Sequence, residues 1–219
     1  MVFVYLHGFA SSAGSSKGRF FAERFARHGL VLERPDFNGP EFATLTVSRM
    51  IRQAEGAMAS LPPGPRVVIG SSLGALVAWH VAARAEARGA GLYRLVLLAP
   101  AFDFGLRDLA AEADEGVRHW RERGWWECDH HAYGERLRVG YDLYQDAGRL
   151  NAREARVSVP TLVFQGRGDE VVDPAMVVRF VTDRPNVTLR LVDDDHQLLK
   201  SLDVLWAETE QFLGLTASR

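Results

Sequence analysis

The sequence predicts an α/β protein: an open sheet of about six mostly parallel strands, flanked by helices. Three observations carry this prediction. Short apolar runs recur along the 219 residues. Stretches with apolar residues at helical spacing separate most of them. The apolar runs hold few alternating polar positions, which suits strands buried on both faces of a parallel sheet. Strand alternating with helix implies right-handed crossovers and helices layered on a sheet. The length fits one core, so residues 1–219 are read as a single domain.

The first expected strand is "VFVYL", residues 2–6, and five more follow at 30–34, 66–69, 95–99, 161–165 and 188–192. Helices are expected over 17–28, 48–60, 73–88, 175–182 and 202–213. Phe20, Phe21 and Phe25 set the apolar stripe of the first. "LPPGP", residues 61–65, is a tight connection from helix to strand. The rhythm breaks over 102–156, where no strand is evident. That interval is charged, helical in propensity, and carries Trp120, Trp125, Trp126, Tyr133, Tyr141 and Tyr144. It is too long for a plain connection. It is read as a helical lid insertion after the fourth strand, lying over the carboxyl edge where open α/β sheets hold their ligands. The rival reading is a set of packing helices with an aromatic core.

Composition removes several function classes. A net charge of -2 without a basic run gives no case for nucleic acid or an anionic membrane. No segment approaches the roughly 20 apolar residues of a membrane span. Cys128 is the one cysteine, so no internal disulfide is expected, which suits a reducing compartment. "MVFVYLHGF" runs into an apolar strand without the pattern of a secretory leader. A cytoplasmic protein is expected.

"RVVIGSSLGAL", residues 66–76, turns a strand straight into a helix through two serines. So sharp a turn strains its central residue and tolerates only small neighbours two positions away, which is the physics of G-x-S-x-G. Centred on Ser72, the flanks are Gly70 and Gly74; centred on Ser71, they are Ile69 and Leu73, which would clash. Ser72 is therefore the candidate nucleophile, with Ser71 supporting the turn. The Leu73 N–H opens the helix and would point at an oxyanion.

A serine hydroxyl needs a base that is neutral near pH 7, and histidine fits. His196, in "LVDDDHQLL", lies beyond the last strand on the carboxyl edge that also bears Ser72. His28 ends a helix, His80 sits packed inside one, and His119, His130 and His131 fall in the insertion. The base needs a carboxylate to hold its tautomer. In "FQGRGDEVVD", Gly166 and Gly168 make a turn and Asp169 follows. Asp193, Asp194 and Asp195 are too local to reach the far ring nitrogen and read as a solvated turn. "ECDHH", residues 127–131, has ligand-type residues too contiguous to converge on a metal. In "ASSAGSSKGR", Ser15 or Ser16 is expected to cap the following helix. The competing reading is a polar loop that recognises an anionic or polar group, with Lys17 near the helix N-terminus.

Together "YLHGFASS", "GSSLG" and the G-x-x-D-x-V-V run resemble the α/β-hydrolase superfamily. The resemblance implies that the Phe9 N–H joins the Leu73 N–H as an oxyanion donor. It gives His7, beside Gly8, a structural role in the loop. Ser72, Asp169 and His196 stand in the superfamily's order. Asp103, in "APAFDF", is the rival acid, because some relatives carry it there; the loop and chain order favour Asp169. "YLHGF", a serine-rich loop with Lys, and "GSSLG" resemble small bacterial esterases of the YqiA type. "WW" and "YDLYQDA" are similar to mitochondrial α/β-hydrolases that cleave acyl glucuronides and fatty thioesters. The resemblance implies a small-molecule acyl ester or thioester substrate, with no cofactor and no metal. Activity should fall as the base protonates, around the histidine reference of about 6.5. A carbon–carbon hydrolase with the same triad, or a non-catalytic ligand receptor, are the alternatives.

Overall fold

The structure, a computed structural model, describes residues 1–106 and 115–215. Six strands form one sheet: β1 (Val2–Leu6), β2 (Leu32–Glu33), β3 (Arg66–Ser71), β4 (Arg94–Leu98), β7 (Thr161–Gly166) and β8 (Val187–Val192). Their order is β2-β1-β3-β4-β7-β8, and every pairing is parallel. Helices α1 (Ser16–Arg27), α2 (Val47–Ala59), α3 (Leu73–Ala87), α6 (Pro174–Val181) and α7 (Leu202–Leu213) flank it.

Strand alternation divides the core into two layers. Val4, Leu6, Val68, Leu95, Leu97 and Val163 face a cluster holding Met50 and Ile51 of α2, Leu76 and Trp79 of α3, and Phe180 of α6. Phe3, Tyr5, Ile69, Val96, Leu98 and Phe164 face the opposite cluster, with Phe21 and Phe25 of α1 and Leu205 and Trp206 of α7. This two-sided burial is why the strands read as continuous apolar runs. β2 is shorter than the sequence suggests. Only Leu32 and Glu33 pair with β1, Val31 is exposed, and Pro35, without an N–H, cannot extend an edge ladder.

The chain leaves β1 for β2 at one edge and returns to β3 on the other side of β1. The crevice between the carboxyl ends of β1 and β3 is therefore the topological switch point, where such sheets bind ligands.

The interval 102–156 departs from the all-helical expectation. Besides α4 (Glu115–Arg123) and α5 (Asp142–Gly148) it contains an antiparallel hairpin, β5 (Trp125–His130) with β6 (Glu135–Gly140). The signal was present and short: buried Cys128 and His130 flank exposed Asp129, a period of two masked by the charged residues around it. Gly134, at φ +69, closes the turn. Residues 107–114 of the expected insertion lie outside the described residues. α5 is tied to α2, since Asp146 accepts from the Ser48 N–H at 2.6 Å and the Ser48 hydroxyl at 2.8 Å. Among the described residues no helix is long and apolar enough to cross a membrane.

Candidate active site

Ser72 stands between β3 and α3 with φ +54 and ψ -118. That region costs a non-glycine residue about 1–3 kcal/mol and persists only where the surroundings enforce it. They do so here. The Ser72 N–H donates to the Leu98 carbonyl at 2.8 Å, continuing the β3–β4 ladder past the end of the strand. A Cβ on Gly70 would lie 2.5 Å from the Gly74 carbonyl oxygen. A Cβ on Gly74 would lie 2.2 Å from the Leu6 carbonyl oxygen. Both glycines are spatial requirements, one for the turn itself and one for its approach to β1. Ser72 is the N-cap of α3, yet its hydroxyl makes no capping bond, forgoing a contact that a serine normally makes there.

The hydroxyl is instead 3.0 Å from His196 Nε2. His196 Nδ1 is 2.8 Å from Asp169 Oδ2. With Asp169 accepting, Nδ1 carries the proton and Nε2 is left to accept from Ser72. Asp169 follows the turn after β7, and His196 lies in the loop after β8. Parallel registry brings both loops to the edge that carries Ser72. The Asp169 side chain is fully buried. Burial pushes its carboxyl up, and hydrogen bonds from His196, the Val172 N–H and Gln165 outweigh it, so the group stays below the usual carboxylate range.

Gln165 escaped the sequence reading. Its Nε2 donates to Asp169 Oδ2 at 2.8 Å from the end of β7. A polar residue closing an otherwise apolar buried strand was the available signal. Asp103 lines the same cleft on the loop after β4, while His196 Nδ1 turns to Asp169. Asp194 corrects the expectation of a solvated turn. It is buried, its carboxylate accepts from the Asp195 and Ser201 N–H groups, and its carbonyl accepts from the Gly168 N–H. It thereby fastens the Asp169 loop to the His196 loop.

On the other side of Ser72 lies the loop after β1. His7 is buried; its Nε2 accepts from the Phe37 N–H at 3.0 Å, which leaves Nδ1 to donate to the Gly8 carbonyl at 2.9 Å. A Cβ on Gly8 would meet Ser72 Cβ at 3.2 Å, so the loop passes close against the serine. The Phe9 and Leu73 N–H groups have no acceptor among the described residues. Ser71 is buried, and the Tyr5 phenol shares hydrogen bonds with the Ser71 and Ser15 hydroxyls. Ser15 is also the N-cap of α1, accepting from the Gly18 N–H at 3.2 Å.

The β5–β6 hairpin is docked onto this loop. The His131 N–H donates to the Ala10 carbonyl at 3.0 Å. His130 Nε2 bonds the Asn38 Oδ1, and Asn38 Nδ2 donates to the Ser11 carbonyl. Trp126 stacks on Phe9 at 6.0 Å. Aromatic contacts continue through Trp120 and Tyr144 to Phe104. Ser72 and His196 open into a cleft of about 1350 Å³ whose lining includes these aromatic residues and Ser15, Lys17 and Gln197.

The arrangement can do one kind of chemistry well. An imidazole with its tautomer fixed can draw the proton from a hydroxyl held 3.0 Å from its Nε2.

The family described as Uncharacterised protein family (UPF0227) matches the chain over residues 2–210. The chain matches no curated protein sequence. Among solved structures it is similar to Alpha/beta hydrolase domain-containing protein 10 from mouse, with a TM-score of 0.80 at 20% identity over 97% of this chain and 89% of that one. Est1E from Butyrivibrio proteoclasticus gives a TM-score of 0.75 at 18% identity over 97% and 86%. The Paleococcus ferrophilus monoacylglycerol lipase gives 0.72 at 16% identity over 98% and 94%. At such identities the likeness is one of fold, shared along nearly the whole chain.

Proposed function

The chain belongs to the Uncharacterised protein family UPF0227 and has the α/β-hydrolase fold, and we propose that it is a serine hydrolase cleaving a small carboxylic ester or thioester. The hydrogen-bonded series Ser72–His196–Asp169 carries this reading. His196 Nε2 takes the Ser72 proton as Oγ attacks the carbonyl carbon. The Phe9 and Leu73 N–H groups receive the oxyanion. Collapse breaks the bond to the leaving alcohol or thiol, which takes the proton from His196. Water then repeats the sequence on the acyl-enzyme and releases the acid. Asp169 stays ionised throughout and stabilises the imidazolium. No step calls for a cofactor or a metal.

The aromatic wall from Phe9 to Phe104 supports an apolar acyl group lying beneath the hairpin. The esterase and the lipase among the structural relatives agree with acyl-ester chemistry. A reducing, cytoplasmic setting fits the single buried thiol of Cys128.

A fluorophosphonate probe tests the assignment. Labelling should be lost in Ser72→Ala and kept in Ser71→Ala, and turnover of a short-chain aryl ester should fall by about 10⁴-fold or more in Ser72→Ala. Equal labelling of the two variants would sink it. A panel of esters and thioesters of graded acyl length then resolves the leaving group.

A further inference from the structure

α1 opens on a buried cation. Lys17 lies in its first turn, where unpaired backbone N–H groups and the helix dipole disfavour positive charge. It is only 8% exposed. Burial lowers its ammonium to about 8, although the Asp169, Asp195 and Asp194 carboxylates pull the other way. A cation so placed needs specific partners. Its Nζ donates at 2.8 Å to the carbonyl of Gln197, 180 residues further along the chain.

Gln197 directly follows His196. Its N–H bonds to Asp195 Oδ1 at 2.8 Å, so its carbonyl is turned away from its own loop, toward α1. The next residue, Leu198, is fully buried at φ +55, a conformation that leucine rarely adopts. The loop bearing the imidazole is therefore strained. Asp194 holds it from within, and Lys17 holds it from the α1 side.

We propose that Lys17 is a positioning residue: its bond to the Gln197 carbonyl clamps the His196 loop to α1 and keeps the imidazole between Ser72 and Asp169. The catalytic consequence rests on the hydrolase reading above; the clamp itself does not. The carboxylates acting on Lys17 are Asp169 from the β7–α6 loop and Asp194 and Asp195 from the β8–α7 loop; His196, Tyr5 of β1 and Arg19 of its own helix line the same cleft. Above pH 8 the ammonium deprotonates. A charge-assisted bond then becomes an ordinary one of roughly half its strength, and a positive charge is lost amid three carboxylates. Arginine keeps its charge throughout this range.

Two measurements on the full chain test the clamp: NMR titration of the His196 ring signals, and the rate at which fluorophosphonate labels Ser72, both from pH 6 to about 9.5. In the wild type the ring signals should show an inflection near pH 8 and labelling should decline through it. Lys17→Met, which keeps the apolar stem, should lose the inflection and label about 10-fold more slowly at pH 7. Lys17→Arg should label without the alkaline decline, and it carries the test if Lys17→Met does not fold. An unchanged inflection in either variant, or wild-type labelling by Lys17→Met, overturns the clamp. An inflection without any labelling of the wild type would support the clamp and remove the hydrolase reading.

Discussion

Four donors converge on the two oxygens of Asp169. The Val171 and Val172 N–H groups reach Oδ1 at 2.9 and 2.8 Å, and Gln165 Nε2 and His196 Nδ1 reach Oδ2 at 2.8 Å each. Backbone donors cannot be removed by substitution, so Gln165 is where this environment can be altered. Gln165→Leu keeps the volume and deletes one charge-stabilising bond. On the proposed mechanism kcat falls about 10- to 100-fold with KM unchanged, because the imidazole loses its fixed orientation. The carboxyl also rises toward its ordinary range. A pH series on wild type and variant measures both. Ser72, Asp169 and His196 could be named in the sequence because G-x-S-x-G has a steric reason and the other two follow strands at recognisable turns. Gln165 could not, because its role exists only once the loop after β7 folds back over the strand end.

At the scale of elements, α3 carries two functions at once. Its first residue follows Ser72, and eleven of its fifteen residues are buried, so it serves as scaffold for the turn. His80 lies inside it, and burial lowers its imidazole to about 4 from 6.5, with a bond to the Leu150 carbonyl only partly offsetting this. The sign follows. In the unfolded chain His80 takes a proton near pH 6.5, while in the fold it resists until about pH 4. Stability present above pH 6.5 is therefore lost progressively as the pH falls to 4, on the order of 3 kcal/mol in all. His80→Gln should flatten that stretch of the curve of Tm against pH; an unchanged slope would show that other groups govern it. The hairpin in the insertion is the element whose type the sequence did not disclose. Its period of two spans only a few residues, and what stabilises it is contact with the loop after β1, through Phe9 and Ala10, and with the loop after β2, through Asn38.

For the molecule as a whole, site and stability are separable. Phe25 packs on Phe3 and Trp206 in the layer between the sheet and α1 and α7. Phe25→Ala should lower stability by about 3–5 kcal/mol in urea unfolding, while kcat well below the transition stays at the wild-type value. The sequence by itself determined the parallel sheet, since burial on both faces leaves a continuous apolar signature. It also determined the strained serine turn, since only glycine fits at 70 and 74, and the placing of Asp169 and His196 on one edge, since parallel strands deliver their following loops together. The tertiary structure alone decided the rest: the hairpin over the cleft, the burial of Asp194, the Gln165 support and the tie from Lys17 to Gln197. Each of these depends on side chains or carbonyls brought together from distant parts of the chain, and no local pattern records such a meeting.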